Sequence, residues 1–142
     1  MGGVTLLALL AGYVGTNELR GVASSASLLL FWGVTGVTVG PLVGLGAHWL
    51  RTRTDTRAAL GVGGMAGVLI GEGVYGLTVI AETTAPAYWW GLIALGVVGL
   101  VAAAALRLRG ALPRVLALMT AALIAGAFVL AYVYGGVLIG LV

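Results

Sequence analysis

The sequence contains no cysteine and no lysine, and only 8% of its 142 residues are charged. The lack of cysteine excludes disulfide bonds and thiolate metal sites. A soluble domain usually carries about 25% charged residues, so seven arginines and four acidic residues cannot cover a water-facing surface. Hydrophobic residues are abundant instead, at 61% of the chain, and the mean hydropathy is +1.17. We therefore expect most of the surface to face lipid.

Five apolar runs, separated by links of at most eight residues, predict an all-α polytopic transmembrane bundle with five spanning helices. A spanning helix needs about 20 apolar residues, and the runs lack the alternation of barrel strands. No basic residue precedes the first run, so we expect it to be retained rather than cleaved as a signal peptide. We predict one integral membrane domain over residues 1–142, with helices at about 2–19, 26–50, 58–81, 89–106 and 115–142.

The arginines are distributed unevenly among the links. Six of the seven lie in residues 51–57 and 107–114, whereas Arg20 alone lies in the other two links. Because basic residues are retained on the cytoplasmic side, this pattern predicts a cytoplasmic N-terminus and an external C-terminus. The expected partner of these arginines is the lipid bilayer rather than nucleic acid.

An acidic residue, Glu72, lies inside the third apolar run. A charge at such a depth costs at least ~2.5 kcal/mol, so the carboxyl should be sheltered, paired or protonated. It is either a proton- or cation-binding group or a neutral carboxyl that hydrogen-bonds a neighbouring helix. Polar side chains expected near it are Tyr75, Thr35, Thr38, Tyr13, Asn17 and Tyr132.

Glycines recur every four residues in two of the predicted helices. Such spacing places small residues on one helix face, where two backbones can approach closely. We favour packing of the second helix against the third, and a homo-oligomer interface, a membrane-protein partner and a narrow pore wall are the alternatives. The two faces consist of Gly36, Gly40 and Gly44, and of Gly63, Gly67 and Gly71.

Motifs for catalysis and metal binding are missing from the sequence. The only histidine, His48, is predicted on the opposite side of the membrane from the serines at 24, 25 and 27. The sequence has no GxSxG, HExxH or Walker A motif, and no histidine pair or carboxylate cluster that would bind a metal. We therefore expect no enzymatic activity, no metal and no cofactor.

Residues 31–77 contain FWGVTGVTVGPLVGLGAHWLR and RAALGVGGMAGVLIGEGVYGL. This region resembles an uncharacterised family of small polytopic bacterial membrane proteins, known as a domain of unknown function. The resemblance implies a plasma-membrane location and no established activity. It depends on Phe31, Trp32, Gly40, Pro41, Gly44, Trp49, Arg51, Gly67, Gly71 and Glu72.

Two functions are compatible with this sequence. The first is a small proton- or cation-linked transporter-like or channel-like protein, or a subunit of one, centred on Glu72 and using the gap between helices two and three. The second is a structural or accessory membrane protein that packs through its glycine faces and transports nothing.

Overall fold

The computed structural model of the protein describes residues 2–21, 26–82 and 84–138, and it is helical with no strand in these ranges. The predicted all-α class with five helices is confirmed. The last residues of the fifth predicted helix, 139–142, lie outside the described part, as does the side chain of Thr35. The helices are α1 (Gly2–Leu19), α2 (Ala26–Thr52), α3 (Thr56–Thr78), α4 (Pro86–Leu106) and α5 (Ala111–Leu138).

Local chemistry explains where the helix ends differ from the predicted ones. The Asp55 carboxylate accepts a hydrogen bond of 3.0 Å from the backbone N–H of Arg57, and this N-cap starts α3 two residues before position 58. Pro86 begins α4 because a proline loses no helical hydrogen bond at the first position. Gly110, with a φ of 93°, makes the turn into α5 at a conformation that other residues rarely adopt.

Three helices, rather than the predicted five, are long and apolar enough to cross a membrane within the described residues: α3, α4 and residues 111–134 of α5. In α1 the 18 residues end in a polar turn that contains Asn17 and Glu18. At 1.5 Å per residue that helix is about 27 Å long, which is shorter than a hydrocarbon core of about 30 Å.

The chain divides into two compact units, residues 1–45 and 46–142. In the first unit, α1 packs against α2 where both helices carry glycine. A Cβ added to Gly36 would lie 3.5 Å from the Cβ of Leu6, and one added to Gly3 would lie 3.4 Å from the Gly36 carbonyl oxygen. The helix α2 continues through Pro41.

In the second unit, α3 packs on both α4 and α5, which contact each other little. Half of the apolar stretch of α3 is buried, compared with 22% for α4 and 11% for α5, so α3 is the central helix. The outer faces of the other two expose apolar side chains, for example Val98 and Leu123. The core is built mainly of small side chains and consists of Ala58, Ala59, Val62, Ala66, Leu100, Ala103, Leu108, Ala117 and Ala121.

Candidate functional site

One face of α3 is a glycine stripe that packs directly on α5. A Cβ added to Gly63 would lie 2.6 Å from the Ala117 carbonyl oxygen, and one added to Gly67 would lie 2.7 Å from that of Ala121. At Gly71 the added atom would lie 2.8 Å from the Cβ of Phe128. The predicted contact of this stripe with the second helix was wrong, because a four-residue glycine repeat marks a face of small residues without specifying the neighbouring helix.

A second face of α3 packs on α4. A Cβ added to Gly73 would lie 2.8 Å from the Trp89 carbonyl oxygen, and one added to Gly76 would collide with the Trp89 indole ring. From the other side, a Cβ on Gly96 of α4 would lie 2.9 Å from Cγ1 of Ile70. Glycine thus allows α3 to pack closely on both of its neighbours, as small residues do between membrane helices.

Glu72 lies on a third face of α3. Its neighbours in sequence are Gly71, which contacts α5, and Gly73, which contacts α4. Successive residues of a helix are rotated by about 100°, so Glu72 faces a direction about 100° from each of them. Three turns earlier on the same face, Gly61 packs against the end of α2, where an added Cβ would lie 2.5 Å from the Gly46 carbonyl oxygen. A Cβ added to Gly64, nearer to Glu72, meets no atom within 4 Å. A side chain at position 64 would therefore have room, whereas one at position 61 would not.

Two tyrosines accompany the partly buried Glu72 carboxyl. The Tyr132 hydroxyl lies within electrostatic range of Glu72 and of Tyr75. The ring centroids of Tyr75 and Tyr132 are 5.3 Å apart, and Tyr132 stacks on Phe128 at 4.5 Å. Tyr132 therefore lies in the same region as Tyr75 and Phe128, and its role as a partner of Glu72 remains a prediction. A carboxyl beside phenolic hydroxyls can accept a hydrogen bond when ionised and donate one when protonated.

Glu72 is nearer to one end of α3 than the sequence indicated. It comes 16 residues after Thr56 and six before Thr78, which places it about 24 Å from the start of the helix and about 9 Å from its end. The predicted helix reached residue 81, which would place Glu72 nine residues before its end. Because α3 ends at Thr78, whose hydroxyl donates to the Val74 carbonyl at 2.7 Å, the carboxyl has a shorter route to the predicted external side.

The other predicted partners of Glu72 belong to the first unit. Tyr13 lies on α1 with 51% of its side chain exposed. The Thr38 hydroxyl donates to the Val34 carbonyl at 2.8 Å, and the Thr35 side chain lies outside the described part. These three remain predictions as partners of Glu72. Gly40 and Gly44 lie on α2, and the packing role predicted for them also remains a prediction.

Two structural residues were not singled out by the sequence analysis. Leu108 lies in a link between two arginines, yet only 2% of its surface is exposed. Trp89 is 6% exposed and covers Gly76. An isolated leucine between arginines was the available signal for Leu108, whereas no sequence signal separates Trp89 from Trp90.

Within the described residues, no group of three His, Asp or Glu side chains is placed to hold a metal.

An all-helical chain with three helices apolar enough to cross a membrane, and a carboxyl beside phenols on one of them, has the features of an integral membrane protein. The chain belongs to a family of unknown function, DUF6518, whose profile matches residues 1–137. This match confirms the resemblance to an uncharacterised family and extends it from residues 31–77 to almost the whole chain. Comparisons with curated proteins and with solved structures find no match.

Proposed function

We propose that this protein is a small proton- or cation-linked transporter-like or channel-like protein, or a subunit of one, with Glu72 as its protonatable centre. It lies in a bacterial plasma membrane with five crossings, a cytoplasmic N-terminus and an external C-terminus, and it has no enzymatic activity. The observation that carries the proposal is the partly buried Glu72 carboxyl on α3, which lies within electrostatic range of Tyr132 on α5.

The chemistry needs only the carboxyl and the hydroxyls beside it. In its ionised form the Glu72 carboxylate accepts a proton or binds a cation, and the Tyr132 hydroxyl donates a hydrogen bond that steadies the charge. On release of the proton or cation, the carboxylate returns to its starting state. Intramembrane acids commonly mark ion or proton pathways because an idle charge there is expensive.

A second candidate is supported by the glycine contacts of α3. Backbone-to-backbone packing on both α4 and α5 is also what a structural or accessory membrane protein needs to hold a rigid shape. In that case Glu72 is a neutral hydrogen-bonding group within the helix assembly, and the protein moves no ion. The two functions differ in whether protons or cations cross a membrane that contains only this protein.

The experiment is reconstitution of the purified full chain into liposomes that contain a pH-sensitive dye. A proton gradient is imposed together with a membrane potential that compensates for the charge carried by the protons. Under these conditions the internal pH should change faster in liposomes with the wild-type protein than in empty liposomes. Glu72→Gln keeps the size and hydrogen-bonding capacity of the side chain but cannot ionise, so the rate should fall by about 100-fold or more. Glu82→Gln, which removes an exposed acid in the link before α4, is the matched control and should leave the rate unchanged.

Replacing the proton gradient by gradients of sodium or potassium, with dyes for those ions, tests the cation-linked form. Wild-type flux equal to that of empty liposomes for all three ions contradicts the transport proposal and favours the structural one. Equal flux in wild type and a folded Glu72→Gln variant shows that transport does not pass through this carboxyl.

A further inference from the structure

The two arginine-bearing links, far apart in sequence, meet at one end of the second unit. The guanidinium of Arg107 donates hydrogen bonds of 2.8 Å to the Leu50 carbonyl and 2.7 Å to the Arg51 carbonyl at the end of α2. The backbone N–H of Arg109 points to the carbonyl of Thr54 at 3.4 Å. Residues 51–57 and 107–114 therefore form one surface, called the arginine platform here.

A buried leucine fixes the second link of this platform. Leu108 is 2% exposed and belongs to the same apolar cluster as Ala58 and Ala117, at the starts of α3 and α5. Its neighbours Arg107 and Arg109 are both exposed. Because the leucine side chain is held inside, the arginines on either side of it are displayed at the surface.

The six arginines of the platform fall into two groups. Arg107 and Arg114 hydrogen-bond to backbone carbonyls, the latter to Ala104 at 3.1 Å. Arg53 pairs with Asp55, the platform's only acid, at 3.6 Å. The remaining three guanidinium groups are exposed and have no hydrogen bond or ion pair within the described residues; they belong to Arg51, Arg57 and Arg109.

We propose that the arginine platform binds the phosphates of anionic phospholipid headgroups through Arg51, Arg57 and Arg109. The platform lies at the start of α3, the end of α4 and the start of α5, which are the three helices apolar enough to cross a membrane, so phosphates of one leaflet surround it. Guanidinium binds phosphate oxygens in a bidentate manner. Arg107 and Arg114 position the links, and they are not the phosphate-binding residues.

This inference rests on the membrane placement proposed above but not on any role of Glu72. A negative result in the ion-flux experiment therefore leaves the lipid proposal intact, and a negative result in the lipid experiment leaves the Glu72 proposal intact. A chain that inserts and selects anionic lipid without moving ions supports the platform alone, whereas flux without lipid selection supports only the Glu72 proposal.

The test measures lipid selectivity by electron paramagnetic resonance on the full chain in phosphatidylcholine bilayers. Trace spin-labelled phosphatidylglycerol or phosphatidylcholine is added, and the immobilised fraction of each reports its association with the protein. The wild type should associate with phosphatidylglycerol at least about fivefold more strongly than with phosphatidylcholine, since each arginine near the surface attracts anionic lipid. The triple variant Arg51→Gln, Arg57→Gln, Arg109→Gln should bring this ratio to about one.

Matched variants separate headgroup binding from general charge. Arg20→Gln removes an exposed arginine outside the platform and should leave the ratio unchanged. The single variant Arg109→Gln retains the backbone N–H that faces Thr54, so it tests the proposal if the triple variant does not fold. Arg109→Lys should restore part of the selectivity, because it keeps the charge and loses the bidentate geometry.

Three results would overturn the proposal. The first is a wild-type ratio of about one. The second is a folded triple variant or Arg109→Gln variant with undiminished selectivity. The third is an equal loss of selectivity in Arg20→Gln and in the triple variant, which would assign the effect to net charge instead of the platform.

Discussion

Among single residues, Trp89 illustrates how a large side chain can depend on a glycine. The indole ring covers Gly76 at the C-terminal end of α3, where any Cβ would collide with the ring. Trp89 also stacks edge-on with Tyr88 at a centroid distance of 4.8 Å. The neighbouring Trp90 is 61% exposed, compared with 6% for Trp89. Two adjacent tryptophans therefore have different roles, one in packing and one at the surface.

We predict that Trp89→Ala destabilises the protein by about 3 kcal/mol, because it opens a cavity between α3 and α4. The measurement is unfolding by sodium dodecyl sulfate in mixed micelles, followed by far-ultraviolet circular dichroism. Trp90→Ala is the matched control and should change the free energy of unfolding by less than about 0.5 kcal/mol, since it fills no internal space. Equal losses in the two variants would contradict the packing assigned to Trp89.

At the scale of elements, α3 depends on glycine for its contact with α5. We predict that Gly67→Ala destabilises the second unit by about 1–3 kcal/mol, because the new methyl group would be forced against a backbone oxygen of Ala121. Backbone atoms of a packed helix cannot move aside as a flexible side chain can. The same micelle unfolding measurement applies.

The control for this variant is one turn away on the same helix. Gly64→Ala adds a methyl group where no atom lies within 4 Å, and alanine is favoured over glycine in a helix by about 0.5–1 kcal/mol. It should therefore leave stability unchanged or raise it slightly. A loss for Gly64→Ala as large as that for Gly67→Ala would contradict the close contact with α5 assigned to Gly67.

The number of helices could be predicted from the sequence because charge and proline separate the apolar runs. Helices α3 and α4 begin before their predicted first residues because Asp55 and Pro86 act as local start signals. These two residues lie outside the apolar runs from which the helix bounds were predicted. The neighbour of the glycine stripe could not be predicted, since a four-residue repeat specifies a close contact but not which helix makes it. For the candidate site, helix depth alone predicted Tyr132 beside Glu72. The proximity of Glu72 to the polar residues of α1 and α2 remains a prediction.

At the scale of the whole molecule, the six arginines of the platform lie at one end of α3, α4 and α5, and the link from Val79 to Ala85 lies at the other. Positive charge is retained in the cytoplasm during insertion, so the proposed orientation places the platform end of all three helices on the cytoplasmic side. The chain has no cysteine, and a single introduced cysteine can therefore report its side of the membrane without background.

We predict that Thr84→Cys in the link before α4 reacts with a membrane-impermeant maleimide added outside intact cells. Thr54→Cys in the platform should react only after the cells are permeabilised. Both positions are exposed, so a difference in labelling reports sidedness and not burial. The reversed pattern would contradict the orientation and would place the arginine platform on the external leaflet.

A third cysteine decides between three and five crossings. Leu19, at the end of α1, is 91% exposed. If α1 and α2 both cross the membrane, as proposed, the link between them lies outside, and Leu19→Cys should react in intact cells as Thr84→Cys does. If only α3, α4 and α5 cross, this link stays on the cytoplasmic side with Thr54, and labelling requires permeabilisation. Because α1 is about 27 Å long, external labelling at Leu19 would further require the bilayer to thin locally around α1, or the polar turn at Asn17 and Glu18 to lie among headgroups.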